Sequence, residues 1–147
     1  HKEVPLSWFK VMDCLADAKK DCLSLNEVVL MGERCHVAEG EVPYLLAFLH
    51  DMGHLMWIDE PGLRDVVVLD PIAYLVTPAT VIICKLIPDQ DDPTHHFMTV
   101  HRECERHHKK EWMRLKSEGV LNVSLLPILW KEYKNHTDVL LQLMVKF

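Results

Sequence analysis

The residues of this chain best placed by type and spacing to do chemistry are the adjacent His50 and Asp51 of Leu49-His50-Asp51-Met52-Gly53-His54. An imidazole beside a carboxylate can hold a divalent metal that lowers the pKa of bound water and so makes a nucleophile. Such a centre also needs a histidine well upstream and a later aspartate. His36 is the nearby upstream candidate, and it stands only about one helix back. A zinc-protease reading needs a glutamate-type base inside the histidine pair, where Asp51 stands, and a third ligand. A second candidate is His101, Cys104 and His108, spaced i, i+3, i+7, with His95, His96 and His107 nearby. Imidazole and thiolate groups one turn apart can chelate zinc. The simpler reading is that Phe97, Cys104, Trp112 and Leu115 mark a half-buried stripe bordered by histidines. Nucleophilic catalysis has no anchor, since there is no GxSxG elbow and no cysteine in an evidently electropositive setting. The five glycines are scattered singly, without the spacing of a phosphate-cradling loop. The expectation is a non-catalytic chain with no cofactor and no tightly bound metal.

The His50-Asp51 pair nevertheless looks like the signature of the HD phosphohydrolases. A metal-dependent phosphohydrolase using His50 and Asp51 therefore stands as the alternative function. Against it, the pattern turns to strands directly after His54, where that family continues in helices.

The elements that must position these residues read as follows. Pro5 to Lys20 predicts a helix with Trp8, Val11, Leu15 and Ala18 on one stripe. Ser24 with Glu27 three residues on is a capping-box pattern, opening a helix to about Cys35. Glu41 to Met52 predicts a third helix with Leu45, Phe48, Leu49 and Met52 on one face and Gly53 as its stop signal. The runs Leu55 to Ile58 and Val66 to Leu69, separated by a polar segment containing Pro61-Gly62, predict a β-hairpin with a longish loop. Three helices followed by a hairpin is the order of a winged helix. Asp70-Pro71 opens another helix, which Pro78 should end or kink. Pro88 to Pro93 is the linker candidate. A long charged helix from Thr94 to about Glu118 then stops at Gly119. Shorter helices follow over Ser124 to Tyr133 and His136 to Phe147, the last with Val139, Leu140, Leu143, Met144 and Phe147 on one face.

Nearly half the residues are apolar and about a quarter charged, with a formal net charge of −6. That composition suits one globular domain or two small ones. The third helix carries no Lys or Arg, and the hairpin loop sets Asp59, Glu60 and Asp65 against a single Arg64. Such a surface offers almost no counterion release on nucleic acid, so no nucleic-acid partner is expected. The positive residues of the long helix are interleaved with glutamates, the pattern of a solvated face. No apolar run is long enough to cross a bilayer and the start lacks a signal sequence, so no membrane partner is expected. The five cysteines are odd in number, widely spaced and without a CxxC pair. They read as buried thiols in a reducing, cytoplasmic setting. The chain itself reads as a piece of a longer protein.

Two blocks together resemble a known family. Phe48-Leu49-His50-Asp51-Met52-Gly53, followed by Pro61 to Pro71 with its Leu63-Arg64-Asp65 wing and Val66-Val67-Val68-Leu69 strand, resembles the COR region (C-terminal of Ras-of-complex) of Roco proteins. Gly119-Val120-Leu121, Leu125-Leu126, Leu129-Trp130 and Leu140 to Phe147 are similar to its later half, and Pro5-Leu6-Ser7-Trp8 to its opening helix. Ile72-Ala73-Tyr74-Leu75 departs from the Trp-Leu usual after the Asn/Asp-Pro, and the acidic, histidine-rich stretch from Pro88 to about His108 is not typical of the family. The resemblance implies a scaffold that contacts an adjacent Ras-like GTPase domain of the same or a partner chain. It also implies coupling of that domain to neighbours or to homodimerisation of the full-length protein. On this reading the fold is mostly α (α+β), with a winged-helix-like unit over 1–87 and a helical unit, an incomplete second winged helix, over 88–147. The His50-Asp51 pair then becomes packing and turn chemistry. The expected partner surface is Trp57, Asp59, Leu63, Arg64 and Asp65, although Trp57 and Leu63 suit the core equally well.

Overall fold

Ser24 and Glu27 form the reciprocal cap that their spacing predicts. The Ser24 hydroxyl accepts from the Glu27 amide at 3.2 Å, and the Glu27 carboxylate accepts from the Ser24 amide at 2.8 Å. A computed structural model of the chain describes residues 3–83 and 98–147. By internal contacts the chain divides into His1–Tyr74 and Leu75–Phe147. It is mostly helical, with one small antiparallel sheet, as the fold class read from the sequence requires.

The first unit runs α1 (Leu6–Asp17), β1 (Cys22–Ser24), α2 (Leu25–Arg34), α3 (Val42–Asp51), β2 (Met56–Trp57) and β3 (Val66–Val68). The hairpin forms as predicted, pairing Met56 with Val68 and Trp57 with Val67. β1 is not legible in the sequence. Three residues hold too little alternation to announce a strand, and Cys22–Ser24 becomes one only by pairing with the free edge of β3, Leu23 opposite Val67. The sheet order is β1-β3-β2. Beneath it lies a core built from Val11 and Leu15 of α1, Val28 of α2, and Val42, Leu45, Leu46 and Leu49 of α3. Met52, expected on that inner face, is 59% exposed, because it lies just past the end of α3.

The second unit contains α4 (Thr77–Ile83), α5 (Met98–His107), α6 (Lys109–Glu118), α7 (Leu126–Leu129) and α8 (Thr137–Lys146). Asp70 opens the helical stretch before it, its carboxylate accepting from the amides of Ile72 and Ala73 at 3.0 and 3.1 Å. Pro78 does not end that stretch. A π-helical segment, Ile72–Val76, precedes it, and Pro78 falls at the second residue of α4. The wider π spacing absorbs the ring's conflict with the previous turn, and the missing N–H is tolerated in a first turn. The linker candidate, Pro88 to Pro93, lies outside the described residues, as do His95, His96 and Phe97.

The long charged helix is in fact two, broken at His108, whose φ of −137° and ψ of 50° leave the helical region. The cause is packing. On one straight helix, His101 and Trp112 would stand about 16 Å apart along the axis, at ~1.5 Å per residue. Their rings are instead 5.1 Å apart, and both are buried. Gly119 closes α6 at φ +70°, as its position predicts. The Ser124 to Tyr133 helix is likewise subdivided, with Trp130 turning out of α7 at φ −108°. On α8, Leu140 and Leu143 are buried, while Met144 and Phe147, expected on the same inner face, are exposed.

Candidate functional site: the hairpin and its supports

The segment between β2 and β3 is shaped by Pro61 and Gly62. Gly62 has φ +84°, and the Leu63 amide donates to the Glu60 carbonyl at 3.0 Å, closing a turn with proline second and glycine third. Those are the positions at which a fixed φ and a left-handed φ are wanted. Further on, the Val66 amide donates to the Leu63 carbonyl at 3.1 Å, and the Leu25 amide to the Asp65 carbonyl at 2.9 Å. The start of α2 thus grips the end of the loop.

The five residues expected to form a partner surface divide by burial. Trp57 and Leu63 are buried, at 7% and 5% exposure, and Trp57 belongs to the core of the first unit. The Trp57 indole N–H donates to the Arg64 carbonyl at 2.9 Å, which fixes the backbone that carries Arg64. Asp59, Arg64 and Asp65 are exposed. An Arg64 Nη2 stands 3.1 Å from an Asp59 carboxylate oxygen, with the two side chains 51% and 60% exposed. An ion pair that wet is worth at most about 1 kcal/mol, so either member exchanges partners cheaply.

The His50-Asp51 pair is placed by the end of α3. The His54 amide donates to the Leu49 carbonyl at 3.0 Å and the Gly53 amide to the His50 carbonyl at 2.9 Å, with Gly53 at φ +75°. This double closure around a left-handed glycine is the Schellman geometry. His50 turns its Nδ1 to the sheet and accepts the Trp57 backbone N–H at 3.1 Å. Among the described residues no group of three or more His, Cys, Asp or Glu could hold a metal ion. Replacing His50 with alanine should cost about 1–2 kcal/mol, because it strands the half-buried Trp57 amide. His50→Asn, which offers an acceptor near the same place, should recover part of that loss. Urea denaturation of both variants checks this, and equal losses would remove the bond from the account.

His101, Cys104 and His108 are not presented together either. His101 donates from Nε2 to the Val81 carbonyl at 2.6 Å and packs on Trp112. Cys104 is fully buried, and desolvation pushes its thiol up to about 11. His108 sits at the break between α5 and α6. Burial lowers the His101 pKa, and this outweighs the Val81 bond, which raises it. The unfolded chain therefore binds a proton more readily than the folded one. Stability is full above the unfolded value and falls as the pH drops toward the folded one, by at most about 1.4 kcal/mol per pH unit. His101→Gln keeps a donor for Val81 and does not titrate. Thermal unfolding at pH 7.5 and 5.5 should show a steeper acid loss in the natural chain than in this variant, and equal slopes would refute the assignment.

The cysteines depart from the expectation of buried thiols. All four described ones are free, but Cys14 is exposed and Cys22 half-buried, with only Cys35 and Cys104 buried. The Sγ atoms of Cys14 and Cys35 lie 3.8 Å apart. Nothing in their spacing signals that meeting, since it depends on how α1 lies against the end of α2. No helix among the described residues is long and apolar enough to cross a membrane.

A family model described as "C-terminal of Roc, COR-A domain" matches residues 5–147. No curated protein and no solved structure matches the chain. The match takes in both blocks that carried the resemblance, from the opening helix through the hairpin to α8, and the chain belongs to the COR-A family of domains that lie C-terminal to Roc.

Proposed function

We propose that this domain is a non-catalytic interaction module. It couples a Ras-like GTPase domain, in the same polypeptide or a partner chain, to neighbouring domains or to dimerisation of the whole protein. The observation that carries the reading is the family match over residues 5–147, whose description sets the domain next to Roc. The order of helices and strands in the first unit, with the sheet order β1-β3-β2, supports a winged-helix reading in which the β2–β3 loop is the wing. Four free cysteines among the described residues fit a cytoplasmic setting.

The contact surface is the wing: Asp59, Arg64 and Asp65 outward, on a base of Trp57 and Leu63. Arg64 is suited to the task because its backbone is pinned by the Trp57 indole while its guanidinium is half exposed and only loosely paired. It can exchange Asp59 for a partner carboxylate and bond it in two-pronged fashion. Arg64→Ala should weaken binding of the cognate Roc GTPase domain by roughly 10- to 100-fold, about 1–3 kcal/mol. It should cost no more than about 0.5 kcal/mol of stability, the usual ceiling for an exposed loop position. Calorimetric titration and thermal unfolding of the same variant decide the matter. Lost stability with unchanged affinity would mean that Arg64 serves only its own loop through Asp59. The isolated domain should neither bind nor hydrolyse GTP.

A further inference from the structure

Cys14, on the exposed side of α1, and Cys35, 8% exposed at the C-terminal cap of α2, stand 21 positions apart in sequence with their sulfurs 3.8 Å apart. A disulfide needs roughly 2.0 Å between sulfurs. The two sulfurs are already in contact, and Cys35 lies at a helix end, where the backbone can yield more readily than inside a helix. We infer that Cys14 and Cys35 are a reversible thiol–disulfide site, oxidised by a hydroperoxide and serving as a switchable staple between α1 and the end of α2.

The reaction balances with a peroxide as oxidant. The accessible sulfur of Cys14 attacks the O–O bond, taking one oxygen as a sulfenic acid and releasing water from hydrogen peroxide. The Cys35 sulfur then displaces that oxygen, forming the S–S bond and a second water. The two thiols give up two electrons and two protons, and the peroxide receives them. A dithiol reductant reverses the step by thiol–disulfide exchange.

Exposure and placement select this pair. Cys22 is half-buried and Cys104 buried, and burial is the leading cause holding both thiols above the ordinary range. The Cys14 thiol is also held up, but first by its hydrogen bond with Cys35, then by burial and by Asp17 and Asp13. The two sulfurs therefore rest in contact, with Cys14 held toward its thiol form, until an oxidant arrives. Transient disulfides of this kind are the ones that occur in reducing compartments.

The experiment treats the whole chain with hydrogen peroxide, blocks free thiols, and digests with trypsin without reduction. Cleavage at Lys10, Lys19, Lys20, Arg34 and Arg64 puts Cys14, Cys22 and Cys35 on separate peptides. The expected product joins Val11–Lys19 to Cys35–Arg64, forms at a rate independent of protein concentration, and disappears with dithiothreitol. The cross-linked chain should melt about 10 °C higher than the reduced one, because the link closes a loop of ~20 residues in the unfolded state. Cys14→Ser, a change at an exposed position, should keep the fold and lose both the cross-link and the shift. In Cys35→Ala, Cys14 should stop at a sulfenic acid that dimedone traps. A Cys14–Cys22 link, a disulfide between chains, or a lasting Cys14 sulfenic acid in the natural chain would each overturn the proposal.

Discussion

Trp57→Ala should destabilise the first unit by about 3–5 kcal/mol, the range for removing a buried aromatic and leaving its cavity. Two losses combine. The indole is part of the first unit's core at 7% exposure, and its N–H satisfies the Arg64 carbonyl at 2.9 Å. Trp57→Phe separates them: most of the ring volume stays, only the donor goes, and the cost should be nearer ~1–2 kcal/mol. Urea unfolding followed by far-ultraviolet circular dichroism measures both. With natural domains stable by only about 5–15 kcal/mol, the alanine variant should sit near the edge of folding. On the proposed reading it should also lose binding to the Roc GTPase domain, since the β2–β3 loop that carries Arg64 is held by this indole. A loss below about 1 kcal/mol in Trp57→Ala would show that the indole does not hold the hairpin.

Trp130→Ala should have an effect of similar size in the second unit, again about 3–5 kcal/mol, lowering the melting temperature by roughly 10 °C at 2–4 °C per kcal/mol. Trp130 is 1% exposed, among the most deeply buried side chains described, and lies beside buried Leu125, Leu126 and Leu129. Its indole N–H donates to the Pro78 carbonyl at 3.0 Å across 52 positions of sequence. Few local contacts can replace a bond of that span. Trp130→Phe should keep more than half of the lost stability, because the ring's volume outweighs its single hydrogen bond. If Phe and Ala prove equally damaging, the Pro78 bond rather than packing holds this unit together.

Much of the local structure was legible in the sequence because it is encoded over a few residues. The Ser24/Glu27 cap, the Gly53 and Gly119 stops, the Pro61-Gly62 turn and the β2–β3 pairing all follow from side-chain reach, permitted φ or hairpin pattern over three to twelve positions. The family too was legible, since its two blocks are motifs of that length and the match over residues 5–147 takes in both. The His50-Asp51 pair shows the limit of such reading. Its chemistry suggested a metal, and only the fold reveals that His50 Nδ1 is engaged by the Trp57 amide seven residues on.

What sequence alone determined, then, is the set of caps, turns, hairpin and family membership, each fixed by interactions between near neighbours. What only the tertiary structure decided is where those elements meet. β1 exists because β3 offers an unpaired edge. The helix around His108 breaks because His101 and Trp112 pack together, although no glycine or proline marks the place. In the same way Trp57 and Leu63 turn inward beneath Arg64, and Cys14 reaches Cys35. A helical or alternating pattern shows which face of an element is apolar, but not which other face will cover it. That choice is made by packing between residues distant in sequence, where the gain from burial outweighs what any single segment prefers.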